Sequence, residues 1–116
     1  MQRKFRLARS EDFKRVRRSG KSYAHPLVVL IVQTHDQPRL KVGVTAGRTV
    51  GTAVYRNRAK RLLREAMRTL IPNIAPGLDL ILIARPGLVS ASLEETRQAL
   101  LNLLQRAQIL IPLNES

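Results

Sequence analysis

The chain has 116 residues, 44% of them hydrophobic, which suffices for one domain with a core and argues against a disordered basic tail. Its net charge of +13 is unevenly distributed: residues 1–68 carry 18 lysines and arginines against four acids, whereas residues 69–116 carry three against four. Such segregated positive charge favours a nucleic acid or another anionic surface as the partner.

The composition also excludes several classes of protein. The chain has no cysteine, which excludes disulfide bonds, thiol catalysis and cysteine-based metal sites. No apolar segment reaches the roughly 20 residues of a membrane span, and residues 1–18 are too charged for a secretory signal. We therefore expect a cytoplasmic protein whose single domain covers residues 1–116, with no membrane partner and no protein partner evident.

The first part of the chain predicts a helix followed by strands. Ser10 precedes two acidic residues, a pattern typical of a helix N-terminus, and this helix should end near Gly20. Lys21–Ala24 is either a short strand or part of a loop. Leu27–Gln33 is an apolar, β-branched segment that predicts a strand. Leu40–Thr45 alternates apolar and polar residues, and we expect it to form a hairpin with the preceding strand.

The rest of the chain predicts two helices around one strand. Gly47–Gly51 is a loop, and the helix Ala53–Ile71 follows it and ends before a proline. Leu78–Ala84 predicts a buried strand between two Pro-Gly turns, and Ser92 and Glu95 form a capping box before the last helix. The order α-β-β-α-β-α, or α-β-β-β-α-β-α with the short strand, predicts an α+β sandwich with helices on one face of a mixed sheet.

The helix Ala53–Ile71 separates into an apolar and a basic stripe at about 100° per residue. The apolar stripe contains Tyr55, Ala59, Leu62, Leu63, Ala66 and Leu70. The basic stripe contains Asn57, Lys60, Arg61, Arg64 and Arg68, with Arg56 and Arg58 at its borders. Like charges at i and i+4 destabilise a free helix, and a phosphate backbone would offset their repulsion. This stripe therefore predicts a surface that binds RNA.

The segment Arg56–Glu65 closely resembles the RNR signature of the ribonuclease P protein subunit, R-N-R-x-K-R-x-x-R-E. Further segments follow in the family's order: Glu11-Asp12-Phe13, Val42–Val44, Val50-Gly51, Ile81–Arg85 and Glu94-Glu95-Thr96. The resemblance covers nearly the whole chain. It implies the fold of one domain of a small-subunit ribosomal protein, the ribosomal protein domain-2-like fold, with an unusual left-handed βαβ crossover.

The resemblance also implies a function and its partners. The chain would bind the catalytic RNA of ribonuclease P and the 5′ leader of precursor tRNA, and would assist endonucleolytic removal of that leader. The RNA contacts would be Arg56, Asn57, Arg58, Lys60, Arg61, Arg64 and Arg68. A cleft between the first helix and the sheet would receive the leader, and Phe13, Lys14, Arg17 and Arg48 would belong to it.

This chain departs from the family's pattern at the expected cleft. Arg17 stands where a second aromatic is usual, and another aromatic is often found near Leu30. The loop Gly47-Arg48-Thr49 keeps one charge of the usual Ser-Lys-Lys. We therefore expect the leader contact to be more electrostatic, with stacking limited to Phe13 and Tyr23.

Phe13 has two interpretations, a core residue beside Leu7 and Val16 or a half-buried residue of the cleft. His25 and His35 are isolated, which favours loop or strand-edge positions over roles as ligands or bases. No nucleophile–base arrangement is recognisable, so the sequence predicts no catalytic residue and no metal site in the protein. The chemistry is expected from the RNA partner, which would also bind most of the magnesium.

Two other functions stay open at this point. One is a ribosomal or general RNA-binding protein without a role in processing. The other is a DNA-binding regulator, which is disfavoured because a recognition helix usually follows a short turn from another helix. Here the loop Gly47–Gly51 joins the basic helix to a strand.

Overall fold

The computed structural model describes residues 1–111, which contain three α-helices and four β-strands. In chain order they are α1 Ser10–Ser19, β1 Lys21–Ala24, β2 Val28–Thr34, β3 Leu40–Ala46, α2 Ala53–Arg68, β4 Leu78–Ala84 and α3 Leu93–Arg106. The connections contain 3-10 turns at Arg3–Phe5, Arg48–Val50, Ile71–Asn73 and Pro86–Ser90. The predicted order with the short strand is confirmed. No helix in these 111 residues combines the length and the apolar character that crossing a membrane requires.

The four strands form one mixed sheet in the order β1-β2-β4-β3. Strand β4 pairs antiparallel with β2, where Leu82 lies opposite Leu30, and parallel with β3, where Leu82 lies opposite Val44. The predicted hairpin of β2 and β3 is therefore wrong. Alternation identifies a strand but not its neighbour, and β4 takes the central place because its residues are apolar on both faces. The hand of the β3-α2-β4 crossover stays a prediction.

Each face of the sheet has its own core, because consecutive residues of β2 and β4 are apolar and point to opposite sides. In the main core, Leu30 and Leu82 pack with α2 and α3. In the second core, Ile31 and Ile81 pack with Val16 of α1. The α+β class is confirmed, but the prediction that the helices share one face is wrong for α1. An amphipathic pattern shows which side of a helix is buried, not which face of a sheet it covers.

The helix ends follow local sequence signals to different degrees. The capping box of α3 is confirmed: the hydroxyl of Ser92 accepts the backbone N–H of Glu95 at 3.0 Å, and the Glu95 carboxylate accepts that of Ser92 at 2.8 Å. The predicted helix start near Ser10 is confirmed, but the Ser10 hydroxyl does not cap it, since Ser10 is the first residue inside α1 and Arg9 before it makes no side-chain cap. Helix α2 ends at Arg68 rather than at Ile71, where a 3-10 turn begins.

Candidate nucleic-acid interface

Helix α2 packs its apolar side on the sheet and on α3. Its buried residues are Ala59, Leu63, Ala66 and Met67, and Leu70 is buried just beyond its end. Tyr55, which the sequence places on the apolar stripe, is 48% exposed. Its ring contacts the loop residue Gly51, so it covers the loop before the helix. The apolar stripe is therefore confirmed at Ala59, Leu63, Ala66 and Leu70, whereas Leu62 is half-buried and Tyr55 is exposed.

The predicted basic stripe lies outside the buried side of α2. Asn57, Arg58, Arg61 and Arg68 are exposed, and Arg56, Lys60 and Arg64 are half-buried. Glu65 is the acid that interrupts this stripe, and its carboxylate accepts a hydrogen bond from Arg68 at 2.9 Å. This bond lowers the pKa of Glu65 and raises the pKa of Arg68. The negative charge therefore offsets the last basic residue and leaves the first two turns positive.

Two arginines of the stripe lie at its buried border. Burial lowers the pKa of Arg64, and the charge of nearby Arg6 lowers it further. The Nε atom of Arg56 is buried, and no residue within 1–111 accepts a hydrogen bond from it. Helix α2 also begins without an acidic residue in its first turn and without a side-chain cap at Thr52. The N-terminus of α2 therefore adds the positive end of the helix dipole to the positive charge of the side chains.

A cleft of about 230 Å³ lies between α1, the edge strand β3 and the N-terminal segment, residues 1–8. Its lining consists of Met1, Arg6, Leu7, Ala8, Phe13, Val42, Val44 and Arg64. The Phe13 ring lies directly on Gly43, where a Cβ atom would collide with it, so a larger residue at this position would require the ring to move. Phe13 is half-buried and also packs on the second core. Phe13 is therefore both a core residue and a residue of the cleft, because its ring packs on the second core and also lines the cleft.

The structure brings only part of the predicted leader cleft together. Of the predicted residues Phe13 lines the cleft, whereas Lys14 and Arg17 are exposed on α1 and Arg48 is exposed in the turn before α2. Contacts of these three residues with RNA stay a prediction. Arg64, predicted as an RNA contact of α2, also belongs to the lining. Tyr23 lies on β1, at the opposite edge of the sheet, and packs against the main core. The expectation that Tyr23 shares stacking with Phe13 is therefore wrong.

The N-terminal segment is a part of the cleft that the sequence did not predict. Arg6 forms a β-bridge with Val42, and the backbone N–H of Leu7 donates to the carbonyl of Val42 at 2.9 Å. The segment therefore covers the edge of β3 and brings Arg6 into the lining beside Arg64. Its sequence carries no periodic pattern that could have indicated this pairing.

A buried charge fixes α1 over the sheet. Asp79 on β4 is fully buried and accepts hydrogen bonds from Arg15 at 2.8 Å and from Arg39 at 3.1 Å. The hydrogen bond that Arg15 donates to Asp79, together with a second that it donates to Asp12, raises the pKa of Arg15. His35 follows β2, as its predicted loop position requires, and its Nε2 atom lies 3.4 Å from Asp79. A lone acid within the apolar segment Leu78–Ala84 was the available signal for this cluster.

Comparison with known proteins identifies the family to which this fold and this helix belong. The family model described as Ribonuclease P matches residues 1–108. The chain belongs to the ribonuclease P protein family. The ribonuclease P protein component of Herpetosiphon aurantiacus is 45% identical over 109 residues, which cover 94% of this chain and 89% of the relative.

Solved ribonuclease P proteins have the same fold. That of Staphylococcus aureus superposes with a TM-score of 0.80 at 25% identity, covering 91% of this chain and 97% of that one. That of Thermotoga maritima gives 0.77 at 30% identity, covering 87% and 96%. The resemblance that the RNR signature carries is therefore confirmed for the family and the fold.

Proposed function

We propose that this chain is the protein subunit of ribonuclease P, which binds the catalytic RNA through α2 and assists endonucleolytic removal of the 5′ leader from precursor tRNA. The observation that carries this proposal is the basic stripe of α2. It lies outside the buried side of the helix, and its first two turns contain no acid to offset the charge. A surface of this kind gains free energy when it displaces counterions from a phosphate backbone.

The chemistry of cleavage is assigned in this proposal to the RNA partner. Arginine side chains stay protonated at neutral pH, so they supply positive charge and not a general base. Magnesium would be bound mainly by the RNA, where it would activate the attacking water. The protein would supply positive charge and position the substrate. Because precursor tRNA is the proposed substrate, the cytoplasm is the proposed location.

The cleft between α1 and β3 is the proposed site for the single-stranded leader. Phe13 offers the one aromatic ring in its lining, and Arg6 and Arg64 supply charge from two different elements. Lys14 and Arg17 extend the positive surface along the exposed side of α1. A leader held in this way would be bound through its phosphates more than through its bases.

A reconstitution tests the proposed function. A bacterial ribonuclease P RNA is mixed with a precursor tRNA at physiological magnesium, and 5′ cleavage is measured with and without the protein. The protein should accelerate cleavage. A protein that binds this RNA but leaves the rate unchanged would instead be a general RNA-binding protein. Leaders of increasing length separate the two proposed sites, since only the cleft should respond to leader length.

A further inference from the structure

Four large apolar side chains are markedly exposed within residues 1–111: Val54 at 74%, Tyr55 at 48%, Leu93 at 45% and Ile111 at 43%. The first two are adjacent on the first turn of α2, directly before the RNR segment, and Tyr55 is the aromatic one. Single exposed apolar residues are common on protein surfaces. Tyr55 differs from such a residue in two respects: its ring lies on the loop residue Gly51, and its surroundings are positively charged.

The Tyr55 ring lies beside Gly51 in the loop before α2. A Cβ atom at Gly51 would lie 3.0 Å from Cδ2 of Tyr55, which is closer than ordinary packing allows. Gly51 also has a φ of 135°, a conformation that other residues rarely adopt. The ring therefore rests on the loop while about half of the side chain faces solvent.

The surroundings of Tyr55 are positively charged. Arg58 lies three residues further along α2, so the two side chains are neighbours on the helix surface. Residues 51–64 contain no acid. The acids Glu94 and Glu95 begin α3, whose first turn reaches the other end of α2, where Arg97 contacts Thr69. The charge of this surface favours an anionic partner, and a flat ring beside Arg58 suits an unpaired nucleotide.

We propose that Tyr55 is a stacking site for an unpaired base of the RNA that binds the basic stripe of α2. This inference rests on the proposed function and adds the kind of nucleotide that the surface recognises. The base stacks on the exposed side of the ring while its phosphates face Arg58 and its neighbours. The site is separate from the cleft at Phe13, whose lining does not contain Tyr55.

Binding to ribonuclease P RNA across a series of salt concentrations tests this inference. Tyr55→Leu should weaken binding about five- to hundredfold, the range of one stacked base, and should leave the slope of log affinity against log salt unchanged. Tyr55→Phe should bind like the wild type. Val54→Ala is the matched control, since it shortens the more exposed neighbour, and it should also bind normally.

Fluorine NMR gives an independent measurement if Tyr55→Leu folds poorly. With 3-fluorotyrosine in a Tyr23→Phe background, the single resonance of residue 55 should move upfield when the RNA binds. No movement, or equal binding by wild type and Tyr55→Leu, would overturn the stacking site and leave the proposed function intact. A wild-type protein that fails to bind the RNA at all would overturn both. A Val54→Ala loss as large as that of Tyr55→Leu would indicate an unspecific apolar contact and reject stacking.

Discussion

Arg15 and Arg39 face a buried carboxylate, whereas Arg58 and Arg61 on α2 face solvent without an ion pair inside residues 1–111. Both regions use the same side chain. In the first, the guanidinium groups donate to Asp79 and hold α1 and the β2–β3 turn on the central strand. In the second, the donors stay available. The positive charge of this chain therefore has two separable uses: some arginines fix the fold, and others keep their donors free for a polyanion.

The largest expected effect comes from removing both cations of the buried region. Arg15→Ala with Arg39→Ala leaves the buried Asp79 carboxylate without either guanidinium group and with His35 as its remaining neighbour, and the free energy of unfolding should fall by about 3–5 kcal/mol. Urea denaturation measures it. Adding Asp79→Leu to the double variant should recover much of the loss, because an apolar residue needs no partner. A loss below about 1 kcal/mol in the double variant would show that the cluster does not stabilise the fold.

The next effect lies at the contact between α1 and β3. Gly43→Ala places a methyl group against the Phe13 ring, so the free energy of unfolding should fall by about 1–3 kcal/mol and α1 should shift from the sheet. Gly47→Ala is the control, since a Cβ atom there meets nothing within 4 Å. Thermal unfolding compares the two variants. Equal stability of both would mean that the ring yields without cost.

Arginines of the α2 stripe should affect binding without affecting folding. Arg58→Ala and Arg64→Ala should each weaken binding to ribonuclease P RNA and reduce the salt slope by about 1, because each removes one phosphate contact. Their unfolding free energies should stay within about 0.5 kcal/mol of the wild type. Arg85→Ala removes an exposed charge outside α2 and should leave the slope unchanged. If Arg58→Ala strongly lowered the free energy of unfolding, Arg58 would be a structural arginine like Arg15 and Arg39.

The smallest effect concerns Glu65, the acid within the stripe. Its folded pKa lies below the ordinary value of 4.5 because Arg68 donates to it. The pair therefore adds stability above pH 4.5, and this contribution is lost as the pH falls through the lowered pKa. Glu65→Gln should remove that part of the acid dependence and slightly strengthen RNA binding. Unfolding measured from pH 7 to pH 3 checks the first effect, and weaker RNA binding by the variant would contradict the second.

Local features of this molecule could be predicted from its sequence, and non-local ones could not. The α3 capping box and the basic stripe depend on residues within a few positions of each other, and both are present. The neighbour of β3 depends on β4, which lies more than 30 residues further along the chain, and the predicted hairpin was therefore wrong. The side of the sheet that α1 covers depends on Asp79, which no pattern near α1 reveals.

The candidate site divides in the same way. The residues of the α2 stripe were predictable because a helix places them by angle alone. The exposure of Tyr55 could not be predicted from its position around the helix axis, which places it with the apolar residues. Its exposure depends instead on the loop at Gly51, on which the ring lies. The part of Arg6 in the cleft depends on the bridge to Val42, which joins two distant segments.

The central position of β4 has a consequence for the synthesis of this chain. Because β4 inserts between β2 and β3, the sheet cannot close until residue 84 has left the ribosome. Until then, the apolar strands β2 and β3 are without their shared partner, and unpaired strands of this kind aggregate readily. The emerging segment also carries most of the positive charge. Mutual repulsion between nascent chains should therefore keep them apart during the interval in which the fold is incomplete.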